Sequence, residues 1–510
     1  MVKSIYHLHP EKDWMNDPNG PAFFGGRFHM FFQHNPFGPV WGNMTWGHAV
    51  SPDMVRWQLQ PNALHPDMWY DKDGVFSGCC VVKDGIPHII YTGTSPETQC
   101  LAIGDADGRR FVKYAGNPIL TKDAGDKRNG WRDPFVIKEP DGSYTLLIGS
   151  GAGGGVSDAG GVGGGVSDAD NAGDGRIDGS GACGGADGAF VEQYASADLI
   201  HWTYKSRFCE FATLQIDKPS DSSPDCAGND LLKTARNGSW NDTMWECPVV
   251  AQDDGGEAAL FVSAIPDGAV HEITGRYNNG VFTPFYGRNA DLGDALYAPN
   301  IVRHPDGRWI LFGWMREAGP PEERAAQGWQ GMLTLPRELY FINGFLHMRP
   351  AAEIKSLRGK QLICAENTNG LQILAGRHYE AEARISFGEK AGSAEMELLR
   401  DGNGNCVKLL LSRSGVYVGR SEEIAGGAPE TVCGMSNALL IGDRCHVRAF
   451  VDGTAIEVYI NSDRVITTRA YPHDGCAGLR VSADGGASID RLEVYEMNDC
   501  YKNFMPDNNI

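Results

Sequence analysis

Three acidic residues stand in matching surroundings far apart in the chain: Asp17 in WMNDPNG, Asp133 in GWRDPF and Glu246 in MWECP. Each has a tryptophan shortly before it and a proline shortly after. Any one of them alone reads as a turn. Three carboxylates gathered in an aromatic-lined cleft repel one another and drive their pKa values apart, which is useful for chemistry and costly for folding. Two carboxylates across a bond, one of them carrying a proton, are the machinery of glycoside hydrolysis. Three acids can also hold a hard cation. No histidine falls at the matching positions, so neither a metal nor another cofactor is expected.

A repeat brings these residues together. A tight glycine turn followed by an apolar strand occurs five times, in GGRFHMFFQ, DGIPHIIYTG, DGSYTLLIGS, DGGEAALFVSA and DGRWILFGW. The turn glycines 26, 85, 142, 255 and 307 lie 59, 57, 113 and 52 residues apart. SPDMVRW (51–57) and SADLIHW (196–202) form a second echo. Units of this length with about four short strands each predict a five-bladed β-propeller over residues 1–348, rather than a sandwich with coincidental turns. Two insertions account for the doubled interval: a Gly/Ala/Ser/Asp-rich stretch at 149–188, read as a flexible loop, and residues 209–240. From 349 to 510 apolar and polar residues alternate, as in HVRAFVDGTAIEVYIN, and predict an antiparallel β-sandwich. Its expected role is packing against the propeller or contact between copies of the chain.

The innermost strands of a propeller converge on its axis. Counting nine residues back from each turn glycine gives Asp17, Phe76, Asp133, Glu246 and Ala298, three acids in five places. The count predicts that these positions are equivalent and face one another across the channel.

Composition narrows the partners. A net charge of -20 over 510 residues repels nucleic acid and anionic membranes, whereas a neutral sugar is compatible with it. No run of 18 apolar residues is present, so no membrane span is expected. The opening MVKSIYHLHPEKDW lacks an apolar leader, and thirteen cysteines without a CxxC pair suit free thiols. A cytoplasmic location is expected, with a trimmed secreted form as the alternative.

The motifs WMNDPNG, FFQHNP, WGNMTWGHA, GVFSG, WRDP, WECP, YAPN and LTLPREL, in this order, resemble those of glycoside hydrolase family 32, the invertases and fructan hydrolases. The resemblance spans the chain apart from the two insertions. It implies a β-fructofuranosidase that retains configuration, with the catalytic carboxyls about 5–5.5 Å apart. Asp17 would be the nucleophile, Glu246 the acid and then the base, and Asp133 the stabiliser of the transition state. Asn16, Gln33, Trp41, Phe76, Ser77, Arg132, Tyr297 and Trp314 would line the fructose pocket. Arg132 is expected to keep Asp133 ionised. Glu246, following Met244 and Trp245, is expected to have apolar surroundings that raise its pKa. Cys79 and Thr45 depart from the family's usual residues. A fructosyltransferase would use the same acids, and a non-catalytic sugar-binding propeller would have lost one of them.

Overall fold

Gly26, Gly85, Gly142, Gly256 and Gly307 all adopt positive φ, between 74° and 96°, and each opens the hairpin between the first two strands of a four-stranded unit. Glycine takes this left-handed conformation without the steric cost a Cβ brings, which is why the turns recur at glycine. Blade 4 departs from the expected turn, because Gly256 rather than Gly255 takes the left-handed conformation. The computed structural model describes residues 3–501 except 95, 124, 127, 153–187, 212–241, 319–324, 389–391, 414, 429 and 437–442.

The first strands of blades 1 to 5 are Asp13–Phe24, Val75–Lys83, Asn129–Lys138, Met244–Gln252 and Leu296–Arg303. Each pairs antiparallel with the strand that follows its turn, and two further strands complete each main path outward. Every first strand packs on the first strand of the next blade, and the fifth returns to the first, closing a five-membered ring. Trp329–Gln330 then pairs in parallel with Asp13–Trp14, tying a late segment of the chain to blade 1. The first strands are buried on both faces, so they read as nearly continuous apolar runs (FVIK, PVVA, NIVR) interrupted by the acidic motifs. The two sequence echoes fold alike. Asp53 Oδ1 and Asp198 Oδ1 each accept from the backbone N–H three residues on, at 2.9 Å, and link the third and fourth strands of blades 1 and 3.

The first insertion joins Tyr144–Gly151 to Ala189–Ser196 in blade 3, and the second joins blade 3 to blade 4. Most of both, and with it the expected flexible loop, lies outside the described residues.

The fifth blade ends at Phe345–Pro350, and strand Arg358–Thr368 opens a sandwich of two six-stranded antiparallel sheets. Its core is a separate apolar cluster around Tyr379, Met396, Leu409, Val447 and Ile489. The sandwich is fastened to the propeller by buried charge. Arg337 of blade 5 is fully buried and bonds Asp291 Oδ2 and Glu457 Oε2, each at 2.8 Å. His7 sits between Asp452 Oδ2 (2.8 Å) and Glu457 Oε1 (3.1 Å). No described helix is long and apolar enough to cross a membrane.

Candidate active site

Each of the five first strands carries a two-residue bulge at the same depth, where two of its residues face one on the partner strand. The bulged pairs are Asn16–Asp17, Phe76–Ser77, Asp133–Pro134, Cys247–Pro248 and Ala298–Pro299. Bulges re-aim side chains and end regular pairing, and here they turn side chains from the sheet toward the axis. Asp133, Cys247 and Ala298 take positive φ at this point (64°, 48° and 43°), conformations that L residues adopt only when their surroundings hold them there.

The bulges correct the equivalence expected from counting nine residues. Phe76, Asp133 and Ala298 are first bulge residues, Asp17 is a second, and Glu246 lies one residue before its bulge. In blade 1 a second bulge, between Asn19 and Ala22, adds a residue before the turn, and in blade 4 the turn glycine is Gly256. True equivalents contact one another from blade to blade. Arg132, Glu246 and Tyr297, all just before their bulges, form a chain: Arg132 Nε donates to Glu246 Oε1 at 2.8 Å, and Tyr297 Oη donates to Glu246 Oε2 at 2.8 Å. Among first bulge residues, Cys247 N donates to Asp133 Oδ2 at 3.1 Å, and the thiol lies 3.3 Å from the same oxygen. Among second bulge residues, Ser77 Oγ donates to Asp17 Oδ2 at 2.8 Å. The Cys247 thiol, 3.8 Å from Asp17 Oδ2, bridges the two aspartates.

Gly149 lets these strands approach. A Cβ there would stand 2.3 Å from the Trp245 carbonyl oxygen, so a larger residue would push blade 3 off the strand that carries Glu246.

Burial raises the pKa of Asp17 to about 6, with the Glu246 charge adding to it against hydrogen bonds from Asn16 and Ser77. Burial likewise raises Asp133, and Glu246 and Asp17 push it further against the pull of Arg132. Arg132 does not pair with Asp133 as expected. Its guanidinium is shared between Glu246 and Glu97, with Nη1 donating to Glu97 Oε1 at 2.8 Å. Burial opposes ionisation of Glu97, but Arg132 and Lys122 outweigh it and hold the carboxyl below the usual range. The apolar surroundings expected for Glu246 are absent. Trp245 is buried in the core with its indole on Asp242, and the groups on the Glu246 carboxylate are Arg132 and Tyr297.

The remaining expected residues surround this centre. Asn16 Nδ2 donates to Asp17 Oδ1 at 2.9 Å, and Trp14 Nε1 in turn holds Asn16 Oδ1 at 2.7 Å. Trp14, Met44 and Trp314 form an apolar wall joined by Trp41, Phe76 and Tyr297. Trp314 meets Trp14 edge-on at 5.9 Å, and Trp41 meets Phe76 at 6.0 Å. Gln33 spends its Nε2 on the Val75 carbonyl at 3.0 Å, tying blade 1 to blade 2. Cys247 and Glu97 were not among the expected residues. Placing WECP beside WRDP on their prolines would have found Cys247. Nothing in TSPETQ marks Glu97, which reaches the site from a loop of blade 2.

The arrangement places a partly buried carboxylate, a second carboxylate braced by a cation and a phenol, and a third beneath a thiol against an aromatic wall. It suits attack at a sugar carbon with proton delivery to the departing oxygen.

Comparisons agree with this geometry. The family model described as the glycosyl hydrolases family 32 N-terminal domain matches residues 7–157 and 223–350, and that of the family 32 C-terminal domain matches 353–496. The chain is 29% identical to a raffinose invertase of Escherichia coli, over 95% of this chain and 93% of that protein. It is also 29% identical to a sucrose-6-phosphate hydrolase of Escherichia coli, over 95% and 92%. Among solved structures, fructan 1-exohydrolase IIa from Cichorium intybus in complex with 1-kestose superposes with a TM-score of 0.77 at 20% identity, covering 98% of both chains. A family 32 β-fructofuranosidase of Bombyx mori gives 0.73 at 25% identity, over 98% of this chain and 95% of that one. The chain belongs to glycosyl hydrolase family 32.

Proposed function

We propose that this glycoside hydrolase, a β-fructofuranosidase, cleaves terminal β-fructofuranosyl bonds with Asp17 as nucleophile and Glu246 as acid and base. The observation that carries the reading is the cluster itself, three carboxylates from three blades meeting through Arg132, Tyr297, Ser77 and Cys247. Asp17 attacks the anomeric C2 as the C2–O bond to the leaving group breaks. Glu246 gives its proton to the departing oxygen, leaving fructose esterified to Asp17. Glu246 then takes a proton from water, whose oxygen attacks C2 and frees Asp17. Two displacements at one carbon return the original configuration.

Asn16 and Ser77 hold Asp17 so that one oxygen points at the sugar. Asp133 accepts from ring hydroxyls as positive charge grows at C2, and the Trp14–Trp314 wall takes the apolar side of the ring. Among the described residues the buried Trp314 indole N–H finds no partner. The eleven described cysteines are all free thiols, which suits a reducing cytoplasm.

Relatives named sucrose-6-phosphate hydrolase, levanase and sucrose:sucrose 1-fructosyltransferase frame the test. The purified protein is incubated with sucrose, sucrose 6-phosphate, inulin and levan, and the products are resolved by chain length. Release of fructose, most rapidly from sucrose-type substrates, is expected. Failure to release fructose from any of them overturns the reading. Trisaccharides from concentrated sucrose would measure transfer by the same residues.

A further inference from the structure

Asn19 follows Asp17 by two residues and is completely buried, yet neither its Oδ1 nor its Nδ2 finds a hydrogen-bond partner among the described residues. A carboxamide has two donors and two acceptor lone pairs, and burying them unpaired costs far more than a surface position would. Asn19 lines a cavity of about 10 Å³ at the floor of the active site, shared with Ser77, Asp133 and Asn300 and with a proline from each of four blades. That is room for one water and nothing larger. The prolines contribute no N–H. Asn300 is already engaged, its Nδ2 on the Gly78 carbonyl (3.2 Å) and its Oδ1 on the Ile301 N–H (2.9 Å). Ser77 has given its hydroxyl hydrogen to Asp17 and keeps its lone pairs. The side-chain groups left to meet a water here are the Asn19 amide, the Ser77 oxygen, the Asp133 carboxylate, the Cys247 sulfur and the second N–H of Asn300.

We propose that Asn19 is a positioning residue that holds one water on the propeller axis, from which hydrogen bonds reach both aspartates. The water accepts from Asn19 Nδ2 and donates one hydrogen to Asp133 and the other to Ser77 Oγ, whose own hydrogen holds Asp17. The inference rests on the roles assigned above to Asp17 and Asp133. Its effect is to favour the ionised carboxylates from below, where the substrate does not reach. Asp133 also faces Asp17 from blade 1, Arg132 on its own strand, and Glu246 and Cys247 from blade 4, while its backbone N–H rests on Thr92 of blade 2. The axial water adds to the Cys247 N–H a further neutral donor that no sugar displaces.

The test pairs a water-resolving crystal structure of the wild-type protein with the pH profiles of Asn19→Leu and Asn19→Ser. The structure should show one water within hydrogen-bonding distance of Asn19 and Asp133. Asn19→Leu fills the space without a donor. Its acid limb of kcat/KM should move upward by about one pH unit, the worth of one hydrogen bond to a charged group, with KM little changed. Asn19→Ser keeps a hydroxyl and should keep the wild-type limb. Absence of that water, or an Asn19→Leu limb that does not move in an otherwise active enzyme, overturns the proposal. The crystal structure decides it alone if Asn19→Leu does not fold. An inactive wild-type protein would instead count against the reading of the site as a whole.

Discussion

Arg132 grips Glu246 and Glu97 at once: its Nη2 lies 2.6 Å from Glu246 Oε1 and its Nη1 2.8 Å from Glu97 Oε1. Glu97 also accepts from the Trp131 N–H at 2.7 Å and from Lys122 at 3.2 Å, so it is fixed from three sides. One guanidinium thereby sets the position of the carboxylate proposed to transfer the proton.

Glu97→Gln keeps the shape and removes the charge, so Arg132 is drawn fully to Glu246. A fall in kcat of about tenfold is expected, with KM changed little and the melting temperature nearly kept, as for a residue acting through another. Steady-state kinetics with sucrose check this. A change in KM alone would mean that Glu97 acts on substrate binding.

The proposed nucleophile is expected to set the acid limb of the activity profile. Asp17, raised to about 6, must be ionised to attack. Activity should therefore fall as pH drops through about 6, rather than through the range near 4 of an exposed aspartate. The dependence of kcat/KM on pH from 4 to 8 measures it, and a limb near 4 would show that Asp17 is not desolvated in the working enzyme.

The same shift destabilises the fold. A carboxyl whose folded pKa is raised loses stability as pH rises through that value, and the cost is absent below the unfolded value near 4. Asp17→Asn should therefore gain about 1–3 kcal/mol of stability at pH 8 while losing activity, and gain little at pH 4. Denaturant unfolding at the two pH values gives the comparison.

His7 works in the opposite direction. Burial alone would lower its pKa, but hydrogen bonds donated to Asp452 and Glu457 raise it to about 8. The charged imidazolium therefore stabilises the seam between propeller and sandwich below about pH 6.5, and this is lost as pH rises through about 8. His7→Gln should cost about 1–3 kcal/mol at pH 6, since it removes a cation shared by two buried carboxylates that Arg337 and His378 still meet. It should also flatten the decline in wild-type stability between pH 6.5 and 8.5, which thermal unfolding across that range reads.

Much of the architecture was legible in the chain because glycine turns and apolar inner strands leave a local signature. Gly26, Gly85, Gly142 and Gly307 each open a hairpin, as expected from their sequences. The acids were legible because each follows a tryptophan and precedes a proline. Depth along the strand was not. DDGGE offers two glycines, and only backbone geometry selects Gly256, which shifts the equivalent position from Glu246 to Cys247. The surroundings of Glu246 were misread for a related reason. Neighbours in sequence on a strand point to opposite faces, so Trp245 enters the core while Glu246 meets Arg132 and Tyr297 from other blades. Glu97 and the His7–Asp452–Glu457 seam are contacts between distant segments with no local pattern.

The central claim is that Asp17 attacks the sugar while Glu246 moves the proton, and Glu246→Gln tests it most directly. Sucrose turnover by this variant should fall by about 10²–10⁴-fold. With a fructoside whose leaving group needs no proton, the first displacement should still proceed and the second stall. Peptide mass analysis should then find one anhydrofructose unit on the peptide that contains Asp17. Near-full sucrose turnover by Glu246→Gln, or an adduct on any other residue, would contradict the account.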